Sequence, residues 1–269
     1  MSSWLLILTS LAGLCAVFSL LYLVCRRLDN YGFVDVAWSY AFALVAGFYA
    51  ALAQGWLPRR FAVATMAVIW SMRLGSHLLK RVAGHHPVED GRYVQLRQDW
   101  AGNFGPKMFG FFQMQAVSVV LLGIPFLLPM LNSSPQFHSL EIAGALLWLV
   151  AICGEALADA QLAAFKRDPA NRGRVCAVGL WRYSRHPNYF FEWLIWIAYF
   201  VIALASQWGW LAAISPTIIL YLLLRVTGIP LTEQQSLRSK GDAYREYQAS
   251  TSAFLPWWPK QKRELRSEE

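Results

Sequence analysis

The residues best equipped for chemistry lie in Gly179-Leu180-Trp181-Arg182-Tyr183-Ser184-Arg185-His186-Pro187-Asn188-Tyr189-Phe190-Phe191-Glu192, where cations and hydrogen-bonding groups crowd the start of a long apolar run. Pro187 has a fixed φ suited to a first helical position, and a helix start leaves backbone N–H groups unpaired at its positive dipole end. With Arg182 and Arg185 beside it, such an end suits an anion, phosphate or carboxylate. Basic residues that merely flank a membrane helix explain the two arginines equally well, but not Asn188 and Glu192. Upstream, Glu155 and Asp159 stand four residues apart on one helix face, and Lys166 follows two turns later. Asn188 and Glu192 repeat that spacing, so two helices could present a polar wall below the basic loop. Its acceptors suit ribose hydroxyls and its cations suit phosphate, with Arg172 or Arg174 free for a further phosphate. The alternative is that the acids simply pair with Lys166 and Arg167.

A second constellation lies nearer the amino terminus. Ionisable groups at membrane depth cost several kcal/mol unless they face a polar cavity or a partner, which makes each a functional candidate. Asp35 sits in one apolar run, while Arg73 and His77 sit four apart in the next. An acid, a cation and an imidazole can polarise a carbonyl or deliver a proton, and Tyr93, in Asp90-Gly91-Arg92-Tyr93, can join them from the following loop. A structural ion pair between Asp35 and Arg73 is the plainer reading.

The elements that must position these groups are membrane helices. Of 269 residues 57% are hydrophobic and only 15% are charged, and mean hydropathy is +0.36. Seven apolar runs lie near Trp4 to Cys25, Phe33 to Ala53, Phe61 to Leu79, Met108 to Leu131, Leu140 to Phe165, Tyr189 to Ala205 and Trp208 to Val226. The last two, separated only by Ser206-Gln207, predict a tight hairpin. The first lacks the basic start of a signal peptide and ends at Arg26-Arg27, so it should remain in the mature chain. Asp168 to Arg174 reads as a turn, Thr227-Gly228-Ile229-Pro230 breaks the last run, and Leu231 to Ala249 resumes as an amphipathic helix ahead of an aromatic anchor, Phe254 to Pro259.

Lys and Arg concentrate at Arg26-Arg27, Lys80 to Lys107, Lys166 to Arg185 and Arg238 to Arg266, which are alternate loops, so the amino terminus is expected outside and the tail in the cytoplasm. Arg59-Arg60 falls on the wrong side. The net charge of +8 follows from this topology and from anionic lipid, without nucleic acid. Cys15, Cys25, Cys153 and Cys176 form no CxxC pair, so neither zinc nor a disulfide framework is indicated, and His85-His86 reads as solvated. No Rossmann, Walker A, nucleophile-elbow or HExxH pattern occurs.

The run from Glu155 through Asp168-Pro169-Ala170-Asn171-Arg172-Gly173-Arg174 to Tyr189 resembles the DUF1295 family of the steroid 5-alpha-reductase carboxy-terminal superfamily. Gly228-Ile229-Pro230-Leu231 and Tyr244 to Phe254 extend the likeness, which covers nearly the whole chain from Asp35-Val36-Ala37-Trp38 onward. The resemblance implies seven membrane helices and NADPH in a polar cavity open to the cytoplasm. It implies Asp159, Lys166, Asn188, Glu192 and Tyr247 as cofactor contacts, joined by Glu155, Arg172, Arg174, Arg185, His186 and Tyr244. Steroid reductases polarise an enone with a Glu on the second helix and a Tyr on the third; here Asp35 is the only acid on the second, and Arg73 and His77 occupy the third. Isoprenylcysteine carboxyl methyltransferases, which use S-adenosylmethionine, share the Arg-His-Pro and following Tyr, but Glu233-Gln234-Gln235 lacks their paired Glu.

The expected fold is all-α, a polytopic membrane bundle of seven transmembrane helices with a cytoplasmic amphipathic C-terminal helix. It is one membrane domain over 1–269, with 1–135 as substrate-side helices and 136–269 as the cofactor-binding half. The expected protein is an NADPH-dependent reductase of a bacterial inner membrane that saturates a C=C bond conjugated to a carbonyl. Asp35, Arg73, His77 and Tyr93 are its catalytic candidates. Its partners are a lipid-like small-molecule substrate and membrane lipids, and nothing sets an oligomeric state. The alternatives are a methyltransferase using S-adenosylmethionine and a non-catalytic lipid-binding relative.

Overall fold

Inside hydrocarbon a backbone has no water to bond, and the helix is the local form that satisfies every N–H and C=O within its own segment. A computed structural model describes residues 1–260 and is helical throughout; Lys262, Arg263 and Arg266 of the basic tail lie outside the described residues. Six helical stretches among these are long and apolar enough to cross a membrane: Ser3–Leu28, Phe33–Leu52, Leu57–His85, Ala101–Leu131, Ser139–Arg167 and Gly209–Lys240. The protein is therefore multi-pass. By contact the chain falls into two units, Met1–Glu141 with Ile202–Ser215, and Ile142–Val201 with Pro216–Glu269.

The first unit contains α1 (Ser3–Leu28), α2 (Phe33–Leu52), α3 (Leu57–His85), α4 (Gly91–Asp99), α5 (Phe104–Leu122) and α6 (Ile124–Leu131). Ser2 caps α1, and Arg26 and Arg27 occupy its last turn, where the dipole favours cations. Between membrane helices the hydrophobic effect is silent, so close packing and hydrogen bonds hold them. Gly75 of α3 lies directly against the Tyr40 ring of α2, where an added Cβ would fall 2.6 Å from Tyr40 Cε1. Ser71 Oγ accepts from Ala43 N at 3.1 Å, and Trp38 Nε1 donates to Ser118 Oγ of α5 at 2.8 Å. Gly123 separates α5 from α6, and Ser215 Oγ bonds the carbonyl of Leu122 at the break.

This unit also explains the two arginines that contradict the charge rule. Arg59 and Glu141 form an ion pair whose side chains are 1% and 4% exposed, and Arg59 donates further to the carbonyls of Asn132 (2.8 Å) and Ser134 (2.9 Å). Arg60 donates to Ala50 O (2.8 Å) and Ala51 O (3.1 Å), which are otherwise orphaned at the end of α2. Both serve the fold.

The second unit contains most of α7 (Ser139–Arg167) and α8 (Pro187–Ala203), then α9 from Pro216 (Ile214–Tyr221), α10 (Ile229–Lys240) and α11 (Asp242–Ser250). Pro187 opens α8, and the Asp168 to Arg174 turn is a short 3₁₀ segment capped by Asp168, with Gly173 at φ 78. One expected span is shorter than the rest, and one expectation is corrected. The sixth expected span, α8, has 17 residues, or about 26 Å at 1.5 Å per residue, shorter than the other runs. The helix expected over Leu231 to Ala249 is two helices, because Gly241 at φ 54 takes a conformation costly for a side chain and turns the chain there. Before α10, a π-helical turn, Leu222–Val226, leads into the Thr227-Gly228 break.

Candidate functional site

In the first unit, Asp35 stands in the first turn of α2. Asp90 caps α4 by accepting from Arg92 N at 3.0 Å, and this short helix carries two side chains to Asp35. Arg92 donates to Asp35 Oδ2 at 2.7 Å, and Tyr93 donates its phenolic proton to Asp35 Oδ1 at 2.8 Å. Arg92 also bonds Asp90 at 3.1 Å, and Arg81 of α3 stands 3.7 Å from Asp90 and 4.0 Å from Asp35. A second set of bonds fixes the far end of α4: Arg97 reaches Glu89 (2.6 Å) and Asp29 (2.7 Å), and Glu89 accepts from Tyr31 N.

Tyr93 is only 2% exposed. Burial, and then the neighbouring charge of Asp35, push its phenol well above the ordinary tyrosine value, so it remains a loaded donor at neutral pH. Burial works against ionisation of Asp90 too, but Arg92 and Arg81 outweigh it and hold that carboxyl below its usual value. The cations on Asp35 are thus Arg92 and, further off, Arg81, not Arg73; Arg73 is half-buried on α3, and His77, one turn further, is exposed. Tyr93 does approach Asp35 from beyond the third helix.

In the second unit, α7 and α8 approach closely at Gly154, where an added Cβ would lie 2.4 Å from the Phe191 ring. Asn188 donates to Asp159 Oδ1 at 3.3 Å, and its own Oδ1 is buried with no hydrogen-bond partner among the described residues. Glu192, one turn along α8, accepts from Trp196 Nε1 at 2.9 Å, and Glu155 is buried one turn before Asp159. Lys166, Arg172 and Arg174 are exposed. The loop ahead of α8 is tied to α7: Leu180 N donates to Gln161 (2.9 Å), and Trp181 Nε1 to Ala158 O (2.9 Å).

The Arg185-His186 pair has a different role from the one its position suggests. Arg185 Nε donates to Glu233 Oε1 of α10 at 2.6 Å, and its Nη1 donates to the carbonyls of Gln248 (3.1 Å) and Thr251. His186 Nε2 lies 3.3 Å from the same Glu233 oxygen, and Gln248 Nε2 donates to the other at 2.9 Å. Tyr247 donates to the carbonyls of Trp181 and Ser184 (3.2 Å). Tyr244 is buried beside Tyr247, its phenol pushed up to about 12 by burial and by the charge of Glu233. Arg185, His186 and Tyr247 therefore clasp α10 and α11 to the loop, while Asp159, Asn188 and Glu192 line the facing sides of α7 and α8. Glu233 and Arg92 are the residues that sequence reasoning missed. A lone acid a turn after Gly228-Ile229-Pro230, and a cation beside Tyr93, were the available signals.

A family profile described as "Protein of unknown function (DUF1295)" matches residues 21–251. The chain is 29% identical over 226 residues to a Schizosaccharomyces pombe protein described as uncharacterized. That alignment covers 74% of this chain and 63% of the relative. No solved structure matches.

Proposed function

Because the chain belongs to the DUF1295 family, whose superfamily comprises membrane enzymes, we propose that it is an NADPH-dependent membrane reductase of a C=C bond conjugated to a carbonyl in a lipid-like substrate. The observation that carries this reading is the Tyr93–Asp35 hydrogen bond. Its resemblance to the Glu and Tyr that polarise an enone in steroid reductases replaces the pair that the third helix lacks. A methyl transfer needs no such donor.

The second unit fits a dinucleotide by the chemistry of its side chains. The buried, unmatched Oδ1 of Asn188 calls for a donor, such as a carboxamide or a hydroxyl, and Asp159 offers an acceptor beside it. Lys166, Arg172 and Arg174, all exposed, are cations for phosphate. When bound, NADPH would supply the hydride. The protein's part is to bind the carbonyl: the Tyr93 proton moves its hydrogen bond from Asp35 Oδ1 to the substrate oxygen and offsets the negative charge growing there. Asp35 keeps Arg92 as counter-ion throughout, so the exchange leaves no bare carboxylate.

The test is thermal unfolding of the purified chain in detergent. NADPH at 100 times its Kd should stabilise it by about 2.7 kcal/mol, and S-adenosylmethionine should not. Asn188→Ala should abolish the NADPH effect, and Tyr93→Phe should keep it while removing carbonyl activation. Stabilisation by S-adenosylmethionine instead would favour the methyltransferase; a response to neither would favour a non-catalytic lipid binder.

A further inference from the structure

Trp257 and Trp258, in the segment following α11, and Tyr183, ahead of α8, bring three aromatic rings together. Trp257 and Trp258 are 72% and 73% exposed, an unusual state for indoles in water. With Tyr183 and Pro256 they line an open depression of about 430 Å³. The planes of Tyr183 and Trp258 stand 83° apart with centroids at 5.3 Å, so the two rings form adjoining walls.

These walls are stitched in place. Trp257 N donates to Tyr183 O at 2.9 Å, Arg185 N to Ser252 O at 2.8 Å, and Ser184 Oγ to Phe254 O at 2.8 Å. Pro256 and Pro259 bracket the two tryptophans and restrict their backbone. An aromatic residue that only marks the headgroup level needs neither a depression nor such stitching.

We infer that this corner binds the trimethylammonium group of a phosphocholine lipid headgroup. Aromatic faces attract cations, and a quaternary ammonium, having no N–H to leave unpaired, exchanges water for rings at little cost. None of the four lining residues is charged, so a primary ammonium or a metal ion finds no carboxylate there. Arg182, exposed and next to Tyr183 in sequence, is the cation at hand for the lipid phosphate.

Native mass spectrometry of the full chain in detergent, offered equal amounts of phosphatidylcholine and phosphatidylethanolamine with identical acyl chains, tests this. The two lipids share a phosphate and differ only in the ammonium. Retention of phosphatidylcholine over phosphatidylethanolamine by about fivefold or more is expected for a cation–π site. Trp258→Ala and Trp257→Ala remove exposed rings, so the fold should survive, and each should bring the ratio towards one; Trp258→Phe should restore part of it. Arg182→Ala should lower both lipids alike and leave the ratio intact. A wild-type ratio near one, a ratio that Trp258→Ala does not change, or a preference for phosphatidylglycerol over phosphatidylcholine would overturn the assignment.

Discussion

Replacing Arg185 by Ala separates two roles that the sequence leaves superposed, a phosphate grip and a structural clasp. The change removes the donor to Glu233 Oε1 and both carbonyl bonds, to Gln248 and Thr251. The ion pair is well buried, with side chains 10% and 15% exposed. Removing one partner of such a pair costs about 3–5 kcal/mol, mostly through the charge left behind. Glu233 keeps Gln248 at 2.9 Å and His186 at 3.3 Å, which places the loss at the lower end. About 3 kcal/mol lowers Tm by about 6–12 °C at this chain size. Arg185→Lys keeps the charge but cannot fork between a carboxylate and two carbonyls, so it should recover only part. In the double variant with Glu233→Gln the cost should be clearly less than the sum of the singles. The measurement is thermal unfolding in detergent with and without NADPH. An Arg185→Ala protein that melts within about 2 °C of wild type, yet has lost its NADPH response, would show Arg185 facing the ligand and refute the clasp.

Exchanging both Arg172 and Arg174 for Ala should leave the fold within about 0.5 kcal/mol, since both are exposed, while NADPH fluorescence titration shows about tenfold weaker binding and NADH is less affected. Because the folded-state value of Tyr93 is raised, its contribution is complete below the unfolded value near 10 and is lost as pH climbs towards the folded one, at up to about 1.4 kcal/mol per pH unit. Tyr93→Phe escapes that loss, so the stability curves of variant and wild type should converge above about pH 10, as alkaline unfolding will show. Glu141→Ala strands Arg59, which is 1% exposed, and should cost about 3–5 kcal/mol, against about 1 kcal/mol for Arg60→Ala, by unfolding in detergent.

What could be read in advance followed chain-local physics. Long apolar runs mark helices wherever they occur, so the boundaries of α1, α2 and α7 were close, and Pro187 and Gly173 fixed a start and a turn through their own φ preferences. Partnerships were not legible, because they join residues far apart in the chain. Arg59 meets Glu141 across 82 positions, Arg185 meets Glu233 across 48, and Asp35 meets Arg92 across 57. The last also depends on α4, nine mostly polar residues that no hydropathy scan selects. The carbon skeleton of helix spacing did hold for the candidate site: residues four apart on α7 and α8, Glu155 with Asp159 and Asn188 with Glu192, share faces, and the Asp159–Asn188 bond joins those faces.

The backbone bonds between residues 183–185 and 252–257 carry a consequence for how the chain matures. Synthesis runs from the amino terminus at about 5–20 residues per second, so the turn ahead of α8 emerges seconds before the strand-like segment that secures it. During that interval Arg185 awaits its carbonyl acceptors on Gln248 and Thr251, and Glu233 awaits the Gln248 donor. A ribosome-stalled product ending near Ser250 should therefore be cut by protease at the Tyr183 to His186 turn, and release of the remaining residues should close that window.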